Sequence, residues 1–310
     1  MKYIKILMPL LLIAVVVVSC TKESDEDAIQ ALLESSWFIG EGAVRTADDS
    51  TNVPQAGQSP YDAQFLDDTL DFVRWVRWIE RPVTREYHIV VTGDSADVTI
   101  TAYFHGEPSG ASYYGFFVLN DSFGGAYIRA ISDSVIRKVK LFRNNEGWHI
   151  LSLTVADIYT VGTDYPVTIT QIKARVESRD YEFVVNSADT YFERDSLPIF
   201  YPSDTVDVTV TCSAQDDSTW AFLHHGTGHR RGLGRHIRQP FYRENTTTFT
   251  RTWIIADDSI IVTPAVRHSA VDVLGWQTLF GDSTATYYSR AWCLPYIVME
   301  PGEEMPEDKE

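Results

Sequence analysis

The chain has 310 residues, with 43 acidic side chains against 26 Lys and Arg, a formal net charge of -17 and a pI near 4.8. A field that acidic repels a phosphate backbone, so a general nucleic-acid binder is excluded from the expected functions. Aromatic residues are 13% of the chain and cysteines number three, and the Val, Ile, Thr and Tyr content points to a largely β protein.

Lys2 and Lys5 give a short cationic start, and an apolar run follows from Ile6 to Val18. A run of about thirteen residues is too short for a bilayer core, which needs about 20 residues of helix, so it reads as the h-region of a signal peptide. It ends in Val17-Val18-Ser19-Cys20, which resembles the lipobox of bacterial lipoproteins. The resemblance implies cleavage after residue 19 and lipid on Cys20, the acyl chains holding a water-soluble body on a membrane at roughly 0.8 kcal/mol per buried methylene. Residues 20–27 are mostly polar or charged, as a tether that clears the headgroups must be. Thr21 stands where Asp favours inner-membrane retention in lipoproteins of enterobacterial type, so the expected address is the cell envelope, at the outer membrane. The rival reading is an ordinary secretory signal. Removal of residues 1–19 leaves about 290 residues, enough for two domains.

Asp25 to Phe38 carries Ile29, Leu32, Leu33 and Trp37 at helical spacing with acids in its first turn, which predicts a helix. Gly40 to Pro60 reads as a long surface loop. A second helix is expected from Phe65 to Ile79, apolar at Phe65, Leu66, Phe72, Val73 and Val76, with Pro82 closing it. The period then changes to two. Glu86–Val91 and Asp97–Phe104 form an expected hairpin about Gly93-Asp94-Ser95, with Val98, Ile100, Ala102 and Phe104 on one face. Further strands are expected at Tyr113–Leu119, Ser134–Phe142 and Trp148–Val155, which makes 28–160 an α+β unit of helices on a curved antiparallel sheet. Gly93-Asp94-Ser95-Ala96-Asp97-Val98-Thr99, then Val139-Lys140-Leu141-Phe142 and Gly147-Trp148-His149-Ile150, are similar in rhythm to the nuclear transport factor two-like (cystatin-like cone) superfamily. That resemblance covers Asp25 to Ile158 and implies a cone with a pocket, which some enzymes of the superfamily furnish with an Asp/His pair.

From Tyr165 onward, Val167–Glu177, Tyr181–Val185, Asp204–Ala214, Ala221–His224 and Thr247–Ile255 are strand-like, and Val206, Val208, Val210 and Cys212 alternate. Residues 165–299 therefore resemble an immunoglobulin-like β-sandwich in pattern, and the expected fold class is α+β followed by all-β. Residues 260–298 can complete that sandwich or pack back on the first domain, and 300–310 form an acidic tail with little to bury. Cys212 and Cys293 can pair in an oxidising compartment or remain buried thiols in their strands.

The most unusual local sequence runs from His224 to Arg238, four histidines and four arginines among glycines. Clustered Arg charge opposes a metal cation, whereas the planar guanidinium fork suits phosphate or carboxylate. Arg230, Arg231, Arg235 and Arg238 are accordingly the candidate anion-binding residues, for an anionic glycan or glycolipid or an acidic patch on an envelope protein. The alternative is a solvated loop whose charges pair with its own protein's acids. Trp75, Trp78, Tyr114 and Phe116 are candidate pocket residues within the expected cone, or part of its core. No G-x-S-x-G elbow, phosphate-binding Walker loop, H-E-x-x-H or C-x-x-C motif is present. Asp97 and His149 oppose the parity of Val98 and Ile150, so no catalytic role, metal or cofactor is assigned. The expected function is a non-enzymatic envelope lipoprotein that binds a ligand or partner; the alternative is a ligand-binding or hydrolytic cone with an accessory sandwich.

Overall fold

The computed structural model describes residues 24–39, 73–78, 83–106, 108–109, 112–113, 115–120, 125–162, 167–213, 219–226, 236–256 and 261–306. The expected signal peptide, Cys20, the 40–60 loop and residues 307–310 lie outside them.

The first element is a helix, α1 (Asp25–Ser35). The Ser24 hydroxyl accepts the Asp27 N–H at 3.1 Å, and Asp25, Glu26 and Asp27 complement the positive end of the helix dipole. Ile29, Leu32 and Leu33 form its buried face, as their spacing predicts. The helix stops three residues short of the expected Phe38, because Ser36 turns to extended backbone (ψ 136°) while its N–H still bonds Leu32 O.

The strands, in chain order, begin with β1 (Val73–Trp78), β2 (Arg85–Thr92), β3 (Ser95–Gly106), β4 (Pro108–Ser109), β5 (Ser112–Tyr113), β6 (Gly115–Asn120) and β7 (Gly125–Arg129). Next come β8 (Ile131–Asn144), β9 (Gly147–Leu153), β10 (Ala156–Thr160), β11 (Thr168–Val176), β12 (Tyr181–Val185), β13 (Phe192–Glu193) and β14 (Ile199–Phe200). The remainder are β15 (Thr205–Ser213), β16 (Thr219–Gly226), β17 (His236–Pro240), β18 (Tyr242–Arg243), β19 (Thr248–Ile254), β20 (Ala265–Gly275) and β21 (Ser289–Val298), with a short helix α2 (Trp276–Phe280) between the last two.

The expected second helix is corrected. Residues 73–78 form β1, paired antiparallel with β6 from Val73 opposite Asn120 to Trp78 opposite Gly115. Trp75 and Arg77, two apart, are both buried, which is strand periodicity, and the Val and Trp content favours the pleat over the helix. The rest of that expected helix lies outside the described residues.

The expected hairpin is present as β2–β3, Thr92 facing Ser95 across a two-residue turn in which Gly93 takes φ +62°. Val98, Ile100, Ala102 and Phe104 share its buried face. The long β8 pairs with β3 along one edge and with β9 and then β10 along the other.

An eleven-stranded sheet runs through the molecule and a five-stranded sheet, in the order β12-β11-β15-β19-β18, packs on it. The main sheet takes strands from both sides of 160–165. Both placements open for residues 260–298 are realised: β20 pairs with β16 of the second half, and β21 joins β20 to the first half, pairing with β10 as Ala156–Cys293 to Tyr159–Arg290. The physical reason lies in β21 itself, which is buried on both faces over almost its whole length and so belongs inside a sheet.

One face of the main sheet meets the five-stranded sheet and forms a β-sandwich, with Val206, Val208, Val210, Phe249 and Trp253 against Leu223, Val271 and Trp292. The other face carries α1 toward β2 and β9, a floor of Ala102, Ala156, Ala270, Ala291 and Cys293 in the middle, and the small β1-β6-β7 sheet over Phe222 and Leu274.

Cys212 and Cys293 are not joined; each is a buried thiol. Cys212 lies in the sandwich core with Val210, and Cys293 lies on the far face of β21, between Trp292 and Leu294, which point into that core.

Candidate functional site: a cleft at the sandwich edge and a buried ionic cluster

At one edge of the sandwich the two sheets separate and leave a cleft of about 400 Å³, within the size range of small-ligand pockets. β16 and β17 supply His225, Gly226, Ile237 and Gln239; β19 and the residues after it supply Arg251 to Ala256; β21 supplies Tyr296. Ser203 completes the wall. It sits at the third position of a turn, Tyr201 to Asp204, with φ +65°, a conformation usually left to glycine. Non-glycine residues held there are concentrated at functional sites.

Strand parity explains the lining. On β17, Ile237 faces His225 and Gln239 faces Leu223 across the β16 pair, so both turn toward the five-stranded sheet. On β19, Phe249, Trp253 and Ile255 are buried inward, and Arg251 occupies the same inward parity. Arg251 Nη1 donates to Pro240 O at 2.8 Å and the guanidinium carbon lies 5.6 Å from the Tyr242 ring centroid. Among the described residues Arg251 has no carboxylate partner. The Trp253 ring is 5.2 Å from His225 and meets Tyr296 edge-on at 5.0 Å. Burial raises the Tyr296 phenol well above its ordinary range.

A second constellation lies on the opposite face, beneath β1. Arg77 Nη2 is 2.9 Å from Asp272 Oδ2, and His224 Nε2 is 3.2 Å from the same oxygen, with Arg77 and Asp272 1% and 0% exposed. Close by, Tyr287 donates to Asp133 Oδ2 at 2.8 Å and Thr160 to Asp133 Oδ1 at 2.8 Å. Burial pushes the Asp133 carboxyl up, against the lesser opposing pull of Arg77, Thr160 and Tyr287. Burial pushes Asp272 up too, but Arg77 and His224 together outweigh it and hold that carboxyl below the usual range. The Tyr287 hydroxyl is raised well above its ordinary value by burial. Among the described residues no group of His, Cys, Asp and Glu is placed to hold a metal ion.

The expected residues fall apart between these places. Trp75 is core: it packs edge-on against Phe222 at 5.1 Å, and Arg238 lies 3.5 Å above its ring while donating to Trp75 O at 2.6 Å. Arg238 therefore braces β1 against β17 and is not presented outward to an anion. Tyr114 and the side chains of Trp78 and Phe116 lie outside the described residues, as do Arg230, Arg231 and Arg235. The sequence reading passed over Arg251 and the Asp133–Asp272 cluster. Their signal was a charged residue at core parity: Arg251 between Phe249 and Trp253, and Asp272 within Ala270-Val271-Asp272-Val273-Leu274.

Compared with known protein families and with curated protein sequences, the chain matches none.

Proposed function

We propose that the protein is a cell-envelope lipoprotein, anchored through Cys20 at the outer membrane, whose body binds a ligand without chemically changing it, in the cleft at the sandwich edge. The observation that carries the binding reading is the cleft itself, about 400 Å³ between two sheets with His225, Gln239, Arg251 and Ser203 among its walls. The acids and histidine of the buried cluster are engaged with one another beneath β1 and lie apart from that lining. In this reading the immunoglobulin-like half holds the ligand, and the helix-bearing half, with its likeness to the cone superfamily, lies next to the tether.

The anchor is tested by intact-mass spectrometry of the mature N-terminus, where a diacylglyceryl group on Cys20 and loss of residues 1–19 are expected. Cys20→Ser should leave the leader uncleaved and the product unlipidated; an unmodified terminus in the wild-type protein would remove the anchor.

The second reading, a hydrolytic cone, draws on Asp133 within 28–160 and on Asp272, which β20 brings in from the 165–299 half, two carboxyls whose surroundings push their proton affinities in opposite directions, the pattern of an acid and base pair. It requires turnover of p-nitrophenyl esters or glycosides that Asp133→Asn and Asp272→Asn each abolish in protein that still melts cooperatively.

A further inference from the structure

Arg251 is the residue that the sandwich does not explain. Its neighbours along the inward parity of β19, Phe249 and Trp253, are fully packed, and its partner across the β15 pair is Val208, also buried. Arg251 itself is half-buried, and its Nε is buried and unbonded, a position that a structural arginine ordinarily offsets with a carboxylate. This chain has 43 acids to offer, yet Arg251 makes one hydrogen bond, to a backbone carbonyl. Acids beside the adjoining strands are engaged elsewhere: Asp204 with Arg179 at 2.6 Å, Asp207 with the Thr252 hydroxyl at 2.9 Å, and Glu244 with the Thr250 hydroxyl at 2.7 Å.

Among the described residues, the cleft that Arg251 borders has no Asp or Glu in its lining. Its polar lining includes donors, namely the guanidinium, the Gln239 amide nitrogen and the Ser203 and Tyr296 hydroxyls, beside one buried and unbonded acceptor, Gln239 Oε1. Ile237, Ile255 and Ala256 make the apolar part of the wall, and Ile254 stands at the rim, 66% exposed. A cation without its counter-charge, donors around it and aliphatic surface beside it describe the complement of one ligand class.

We propose that the cleft binds an organic anion, a carboxylate or phosphate group carried on an apolar stem, with Arg251 as the counter-charge and Gln239 and Ser203 as flanking hydrogen-bond partners. The stem lies along Ile237, Ile255 and Ala256. This deepens the binding reading above and rests on it. It also moves anion recognition from Arg230, Arg231 and Arg235 to a half-buried residue between the sheets, where partial exclusion of water strengthens a charge-assisted hydrogen bond.

The test titrates the purified full chain with hexanoate, hexyl phosphate and the uncharged hexanol, following intrinsic tryptophan fluorescence and calorimetric heat. At least one anion is expected to bind tenfold or more tightly than hexanol, since hydrogen bonds to a charged group are worth about a factor of ten and upward. Which anion wins distinguishes a fatty or acidic-sugar carboxylate from a phosphorylated source. Arg251→Gln should lose at least tenfold for the anion and little for hexanol, while Arg251→Lys retains part of the difference. Gln239→Leu, which leaves the Arg251 bond to Pro240 intact, should weaken the anion by a smaller factor, so the proposal stays testable if Arg251→Gln fails to fold. Equal affinity for hexanol and the anions, or unchanged anion binding in Arg251→Gln, overturns the proposal. Ala256→Trp, which fills the cleft, separates the two levels. If it leaves anion binding intact, the cleft is not the seat and the binding reading falls with the proposal. If it abolishes all binding while Arg251→Gln does not, the cleft stands and its anionic character falls.

Discussion

Asp272 and Asp133 share one face of the main sheet, and at residue scale they make opposite demands on pH. The Asp272 carboxyl is held below its ordinary range by Arg77 and His224 against the effect of burial, so it contributes stability at neutral pH that is lost as pH falls through the unfolded carboxylate value near 4 and below. Asp133 is raised by burial, so the native state holds its proton more tightly than the unfolded chain does. Its contribution has the reverse sign, a cost at neutral pH that disappears on acidification. Asp272→Asn should therefore destabilise the protein at pH 7 by about 3–5 kcal/mol, because Arg77 is left buried without its carboxylate. The double change Arg77→Met with Asp272→Leu should recover most of that loss in a urea titration. Asp133→Asn should melt at or above the wild-type temperature at pH 7, and the comparison should turn toward wild type as pH drops to 4. A loss at pH 7 that shrinks toward pH 4 would show that Asp133 is ionised in the folded protein.

At the scale of elements, α2 and its flanks show how close approach dictates sequence. Gly275, the residue before α2, lies so near Tyr288 that an added Cβ would fall 1.7–2.1 Å from the ring. Tyr288 is buried and its backbone N–H bonds the Thr278 hydroxyl, so it cannot step aside. The expected outcome for Gly275→Ala is a loss of 1–3 kcal/mol or about that, typical of overpacking, with a lowered midpoint of thermal unfolding. The small β1-β6-β7 sheet is held in the same explicit way. Arg77 reaches Asp272, Arg238 reaches up to Trp75 O, and Arg129 of β7 donates to the carbonyls of Gly281, Asp282 and Ala285 beyond α2. Here the limits of sequence reading are physical. The hairpin β2–β3 was legible because turn chemistry and parity agree within twenty-odd residues of chain. β1 was not, because Val73, Val76 and the tryptophans satisfy a helical stripe as readily as a strand. What decides between them is β6, some forty residues further along, and a partner at that distance leaves no local mark. Arg251 and Asp272 were legible in principle, as charges set at core parity, but they became a site through strand pairings that no local pattern records.

For the whole molecule, the predominance of antiparallel sheet followed from composition and alternation. The course of the main sheet across 160–165 did not, because the pairing of β10 with β21 joins residues more than 130 positions apart. That pairing is open to test. A chain ending at Thr286, before β21, should lose amide-exchange protection in β8–β10 and in β16 and β20 together; retained protection over residues 83–160 would mean that the first half stands alone. Because the last long strand made is the one that occupies the middle of the sheet, contact order is high and folding is expected to be slow. Until Ser289 and its successors pair, β10 and β20 each present an unsatisfied apolar edge. The chain is thus at greatest hazard of aggregation while β21 is not yet placed, and a holding chaperone would find its longest engagement there.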